Sequence, residues 1–172
     1  MAQAERAPSA AEVITFLIVR AATYAALFIG FVLVFLPAQV LRWSGISRPA
    51  VIGIPQVCGL ILGTTGAVLA LWCVLALTLA GKGTPAPFDP PRHLVVGGPY
   101  RLVRNPMYLG AGLALGAAAL LYQSLALLGF AALFLVVAHL FVLWYEEPTL
   151  RRLFGSAYDA YCGRTRRWWP GW

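Results

Sequence analysis

The sequence has little charge: 11% of its 172 residues are Asp, Glu, Lys or Arg, and only six of these are acidic. Soluble domains carry roughly 25% charged and about 45–50% apolar residues, whereas 60% of this chain is apolar. So few charges cannot solvate the surface of a small globule, which excludes a soluble single-domain enzyme. So large an apolar fraction excludes a disordered chain. Cysteine is scarce too. Cys58, Cys73 and Cys162 form no CxxC or Cys/His pairing, so neither a disulfide framework nor a metal site is expected. Cys58 and Cys73 lie about 22 Å apart along a helix, too far to bridge, and are expected as buried free thiols. The net charge of +7 comes from basic residues set between apolar stretches. That pattern fits attraction to anionic lipid and the positive-inside bias rather than nucleic acid.

What the chain does have is long uncharged runs. Ala21–Leu41 extends backward across Arg20 to Val13, and Pro49–Gly81 and Asn105–Tyr145 follow. A bilayer helix needs about 20 mostly apolar residues, and the last run holds two if it turns at Gln123-Ser124. The expected fold is an all-α integral membrane protein. Its four transmembrane helices run over 13–36, 53–80, 105–122 and 124–146, the last two as a tight hairpin. The first is too long for a signal peptide. Arg6, the loop Lys82–Arg104 and the tail from Arg151 hold ten basic residues on one side, against Arg42 and Arg48 on the other. Both termini are therefore expected in the cytoplasm of a multi-pass protein, with a bacterial inner membrane as the expected setting. Gly59-x-x-x-Gly63 and Gly112-x-x-x-Gly116 have the spacing of close helix contacts and leave room for an oligomer. Leu150, Leu153, Phe154, Ala157, Tyr158 and Tyr161 form a helical stripe, expected as an amphipathic C-terminal helix in the headgroup plane. Trp168, Trp169 and Trp172 among arginines read as an interfacial anchor.

Polar residues gather in the loop Lys82–Tyr108 and at Glu146-Glu147. The loop is rich in proline and glycine, a shaped backbone rather than a simple connector. Asn105-Pro106 is a helix start, with Asn as N-cap and Pro at the first position. Free N–H groups beside Arg101 and Arg104 make an anion site there, or else the arginines contact lipid phosphates. Glu146 and Glu147 stand where an apolar helix leaves the membrane, a costly place for charge that points to the bundle interior. His139, seven residues earlier, is expected on the same face as Glu146 and deeper.

The segment GPYRLVRNPMYLG, followed by EEPTLRRLFGSAYDAYCGRTRRWWP, resembles the isoprenylcysteine carboxyl methyltransferase and phospholipid methyltransferase superfamily of integral membrane enzymes. The resemblance covers roughly residues 81–170. It implies S-adenosylmethionine as cofactor, bound by C-terminal segments rather than by a Rossmann domain, which fits the lack of a GxGxxG fingerprint. On that resemblance, Val95, Gly98, Tyr100, Arg104, Asn105, Tyr108, Glu146 and Glu147 surround the cofactor. Arg152 and Arg166 contact substrate at the membrane face, with His139 a further substrate candidate. Residues 1–172 then form one membrane domain, with 1–80 on the substrate side and 81–172 the cofactor-binding core. Asn105 stands where the family commonly has His, and an amide cannot titrate near neutral pH.

A methyl sulfonium is a cation that needs charge balance and an in-line methyl. Glu147 is expected to offset the charge or take a proton, and Arg104 to bind the methionine carboxylate. Arg152 completes the expected catalytic set. The acceptor is hydrophobic or lipid-like, either a prenylated-cysteine carboxylate or a phospholipid amine. Two other readings stand beside this one. One is an NADPH-dependent membrane reductase of the sterol-reductase type, with Lys82 or Arg92 on the 2′-phosphate. The other is a non-enzymatic membrane assembly factor.

Overall fold

The structure, a computed structural model, describes residues 10–46, 52–86 and 89–170. Arg6, Arg48 and Trp172, used above for charge side and anchoring, lie outside the described residues. Within them the protein is all helical, without strands. Helix α1 runs over Ala11–Ser44, α2 over Ile54–Leu79 and α4 over Leu125–Phe154, each long and apolar enough to cross a bilayer. Helix α3, Pro106–Tyr122, is apolar but shorter, and α5 covers Ser156–Arg164. Three crossings thus follow from length alone. Helix α3, about 25 Å long at 1.5 Å per residue, is short against a hydrocarbon core of about 30 Å.

Apolar side chains such as Phe16, Leu27, Leu71 and Leu133 point outward, each more than half exposed. In water that surface would be untenable; in lipid it is the solvent-facing side. Hydroxyls within the spans do not need water. Thr23, Thr64, Thr65 and Thr78 each donate to the carbonyl four residues back, at 2.8–2.9 Å.

The expected glycine pairs pack inside the chain: Gly59 and Gly63 meet Ala117 of α3, Gly116 meets Leu62 of α2, and Gly112 meets Leu135 of α4. A Cβ on Gly59 would lie 3.0 Å from the Ala117 carbonyl, and one on Gly66 only 2.6 Å from the Gly110 carbonyl. Small residues therefore let α2 and α3 approach backbone to backbone, the most extensive contact in the molecule. The hairpin turns where expected. Gln123 adopts the left-handed conformation (φ 49°), and Ser124 caps α4 by accepting from the Leu127 N–H at 3.2 Å.

Two helices run past their expected ends. Helix α1 continues through Pro37 to Ser44 instead of stopping near 36, and α4 continues through Pro148 to Phe154. In both, a π-helical stretch comes just before the proline: Ile29–Phe35 before Pro37 and Val142–Glu146 before Pro148. Proline lacks an N–H and clashes with the carbonyl four residues back; a wider turn relieves both conflicts without breaking the helix. The single amphipathic C-terminal helix is a further departure. It is divided at Gly155, whose φ of 52° ends α4 before α5 begins. Cys58 is exposed rather than buried, Cys73 is buried, and all three thiols are free.

Candidate active site

The loop between α2 and α3 folds onto the end of α2. Arg92 and His93 both donate their N–H to the Gly81 carbonyl, at 2.8 and 3.1 Å. Gly83 has to be glycine there, because a Cβ would lie 2.6 Å from Pro91 Cα. Asp89 donates its N–H to Ala86 O at 3.0 Å, closing the tip of the loop. A 3₁₀ turn over Gly98–Arg101 then leads to Pro106, the first residue of α3. Asn105 occupies the N-cap position but its side chain does not cap the helix. Its Nδ2 donates instead to the Arg167 carbonyl at 3.2 Å, because the C-terminal tail lies across this helix start.

The two glutamates separate. Tyr108 donates its hydroxyl to Glu146 Oε2 at 2.9 Å, from α3 to α4. Glu147 instead accepts a bidentate pair from Arg167, Nε to Oε1 at 2.6 Å and Nη2 to Oε2 at 3.0 Å. Arg104 Nη2 lies 3.2 Å from the same Oε1. Arg104 also touches Cys162 Sγ, while its Nε is buried without a hydrogen-bond partner. The tail is held at the backbone as well, where Arg104 N donates to Arg166 O at 2.9 Å. Adjacent residues of a helix point about 100° apart, which separates the two glutamates, and the π turn resets their register against His139. By adding a residue to the turn it breaks the seven-residue register between His139 and Glu146. His139 instead shares the tail with Glu147, its Nδ1 accepting from Trp168 Nε1 at 2.9 Å.

These residues border one polar cleft. Of the residues expected around the cofactor, Val95, Tyr100, Arg104, Asn105, Tyr108, Glu146 and Glu147 all line it. Gly98 does not; it faces Trp72, whose indole nitrogen would lie 3.2 Å from a Cβ there. Arg152 is exposed and donates to Thr149 Oγ1, Arg166 contributes only its carbonyl, and His139 faces Trp168. None of these three lines the cleft. Tyr158, Tyr161 and Thr84 do line it and were missed. The two tyrosines read as part of an interfacial stripe, and only the break at Gly155 turns them inward. Tyr161 donates its hydroxyl to the Tyr100 carbonyl at 2.6 Å. Burial pushes the phenols of Tyr100, Tyr158 and Tyr161 up, so all three stay neutral donors at working pH.

A second, apolar cavity of about 650 Å³ lies between α1, α2, α3 and α4. Its walls include Tyr24, Phe28, Ala70, Phe134 and Phe141. Pro85, Ala86, Met107 and Tyr108 line both spaces, so the polar cleft and the apolar cavity share a wall.

A carboxylate–arginine cleft thus abuts an apolar cavity in a bundle of apolar helices. The family profile described as phospholipid methyltransferase matches residues 54–157, from α2 to α5. The chain belongs to the phospholipid methyltransferase family. This places it in the isoprenylcysteine and phospholipid methyltransferase superfamily of membrane methyltransferases. The matched stretch contains the loop, α3, α4 and both glutamates, and α1 lies outside it. No curated protein and no solved structure matches the chain.

Proposed function

We propose that the protein is an S-adenosylmethionine-dependent methyltransferase that methylates a hydrophobic or lipid-like acceptor. The observation that carries the reading is the shared wall at Tyr108 and Met107. A polar cofactor cleft and an apolar acceptor cavity meet at that wall, where methyl transfer requires donor and acceptor to meet.

The chemistry of the cleft fits the cofactor. Arg104 Nε, buried and unpartnered, is a donor free for the methionine carboxylate, beside the N–H groups at the start of α3. The cofactor, when bound, supplies an electrophilic methyl on a sulfonium. Glu147 is already bracketed by Arg104 and Arg167, so the charge expected of it falls instead to Glu146, held by Tyr108. For an amine acceptor Glu146 takes up the proton that leaves; for a carboxylate acceptor it only offsets positive charge. Glu147 acts by fixing Arg104 and the tail. The cleft itself is narrow, about 90 Å³, below the roughly 300–1,000 Å³ of ordinary ligand sites. Cofactor binding therefore moves a wall outward, and the loop segments 81–86 and 89–97 are the wall least tied by helical hydrogen bonds. Residues 1–80 supply much of the acceptor cavity and 81–172 the cofactor cleft.

S-adenosylhomocysteine should raise the melting temperature of the detergent-solubilised protein, as a ligand selective for the folded state does. NADPH should leave it unchanged. Stabilisation by NADPH alone would overturn the methyltransferase reading in favour of a reductase, and stabilisation by neither would favour an assembly factor.

A further inference from the structure

Arg20 is a charge inside an apolar span, and such residues mark functional sites when they face the interior. Its Nη2 lies 2.5 Å from Asp89 Oδ2, an ion pair between α1 and the tip of the loop 81–97. The pair is close but misaligned: Asp89 Oδ2 accepts no hydrogen bond and Arg20 Nε donates none, although both are buried. The guanidinium also sits over the Phe16 ring, 5.4 Å from its centre. An arginine that only stapled the loop would satisfy a carboxylate with its two-pronged edge. This one holds Asp89 by a single nitrogen and keeps a buried donor in reserve.

Neither Arg20 nor Asp89 is a wall of the apolar cavity, but the chain beside each of them is. Tyr24, one helical turn after Arg20, lines it, as do Ala86, which accepts the Asp89 N–H, and Pro85. The pair therefore lies beside the cavity, next to Pro85 and Ala86, which the cavity shares with the polar cleft. An amphiphile lying in the cavity would bring its polar end to this place.

We infer that Arg20 recognises an anionic group on the acceptor, a phosphate or a carboxylate attached to its apolar chain. Asp89 holds the guanidinium in place until that group displaces it. The inference rests on the reading of the apolar cavity as the acceptor site, and it concerns binding rather than methyl transfer. Arg20 is a specificity residue in this scheme, and Asp89 is its internal competitor. Exchange of one carboxylate for another anion leaves the arginine paired at each stage, and the displaced Asp89 side chain, 24% exposed, turns to water.

The test compares three probes with the same chain, hexadecyl phosphate, hexadecanoate and hexadecanol, binding to the full protein in lipid nanodiscs. Wild-type protein should bind an anionic probe about ten-fold tighter than the alcohol, the scale of one charged hydrogen-bonded contact. Arg20→Gln should bring the anion and the alcohol to equal affinity. Asp89→Asn, which removes the competitor and leaves the arginine, should widen the difference beyond wild type. An anion preference that survives Arg20→Gln, or that Asp89→Asn leaves unchanged or reduces, overturns the inference. If Arg20→Gln does not fold, the Asp89→Asn arm decides by itself. Which anion is preferred separates a phosphate-bearing lipid from a carboxylate-bearing prenyl amphiphile. Because the readout is binding, a protein that transfers no methyl yet shows this pattern would sink the methyltransferase reading and leave Arg20 in its role.

Discussion

Neighbouring residues Glu146 and Glu147 have opposite surroundings, and substitution should separate them. Glu147 is 7% exposed and answers two arginines. Glu147→Gln leaves Arg104 and Arg167 facing one another without a counter-charge, a loss of about 3 kcal/mol by comparison with broken buried pairs. Its expected signature is a lower melting temperature and weaker S-adenosylhomocysteine binding, both measurable on purified protein. Glu146→Gln keeps the shape and can still accept from Tyr108, so the fold and the affinity for S-adenosylhomocysteine, which lacks the sulfonium charge, should persist. Turnover at saturating cofactor should fall about 10²-fold, the scale of one preorganised electrostatic group. If Glu146→Gln retains full methyl transfer while Glu147→Gln folds normally and loses rate alone, the two roles are exchanged. The neighbourhood of Glu147 could not be foreseen, since Arg167 is twenty positions away and meets it only through the fold.

Elements are joined here by two kinds of local exception, close-packed glycines and π turns. Gly66→Val would drive side-chain atoms into the Gly110 backbone. Helix α2 should then separate from α3 at a cost of about 1–3 kcal/mol, seen as a lower melting temperature. The same change at Gly129, where a Cβ meets nothing within 4 Å, should be almost silent. Pro148→Ala tests the π turn of α4. With the proline gone, Val142–Glu146 can return to ordinary α spacing, which rotates Glu147 away from Arg167. Helix content by circular dichroism should hold while cofactor binding falls; unchanged binding would mean the π turn has a cause other than Pro148. The prolines were visible in the sequence and read as helix ends, because a hydrophobic run does not say whether a helix stops at a proline or widens before it.

For the whole molecule the arrangement has a direction. Arg20, in the first half of α1, meets Asp89 in the loop after α2, so the N-terminal end of α1 and that loop lie at one end of the bundle. The tail reaches the same region through Glu147 and Asn105. Cysteine labelling in intact membranes should accordingly find Met1, Lys82 and Trp172 accessible from one face. Lys82 and Trp172 on opposite faces would mean that α3 and α4 do not both cross. The narrow cleft makes a second molecule-wide prediction. Hydrogen exchange in residues 81–97 should change when S-adenosylhomocysteine binds, while α2 and α3 stay as protected as before.

Much of this was decided by composition and spacing. Scarce charge and long apolar runs require lipid as the solvent, because no other medium tolerates that surface. Asn105-Pro106 and Gln123-Ser124 start or turn helices through local backbone chemistry that acts wherever the chain lies. The motif spacing of the C-terminal half likewise carried the family and seven residues of the cleft lining. The tertiary structure alone decided which glutamate meets the arginines, because that depends on where the tail brings Arg167. It also turned Tyr158 and Tyr161 inward, set His139 against Trp168 and paired Arg20 with Asp89. Each of these is a contact between groups distant in sequence, and no local pattern encodes the distance between them until the helices pack.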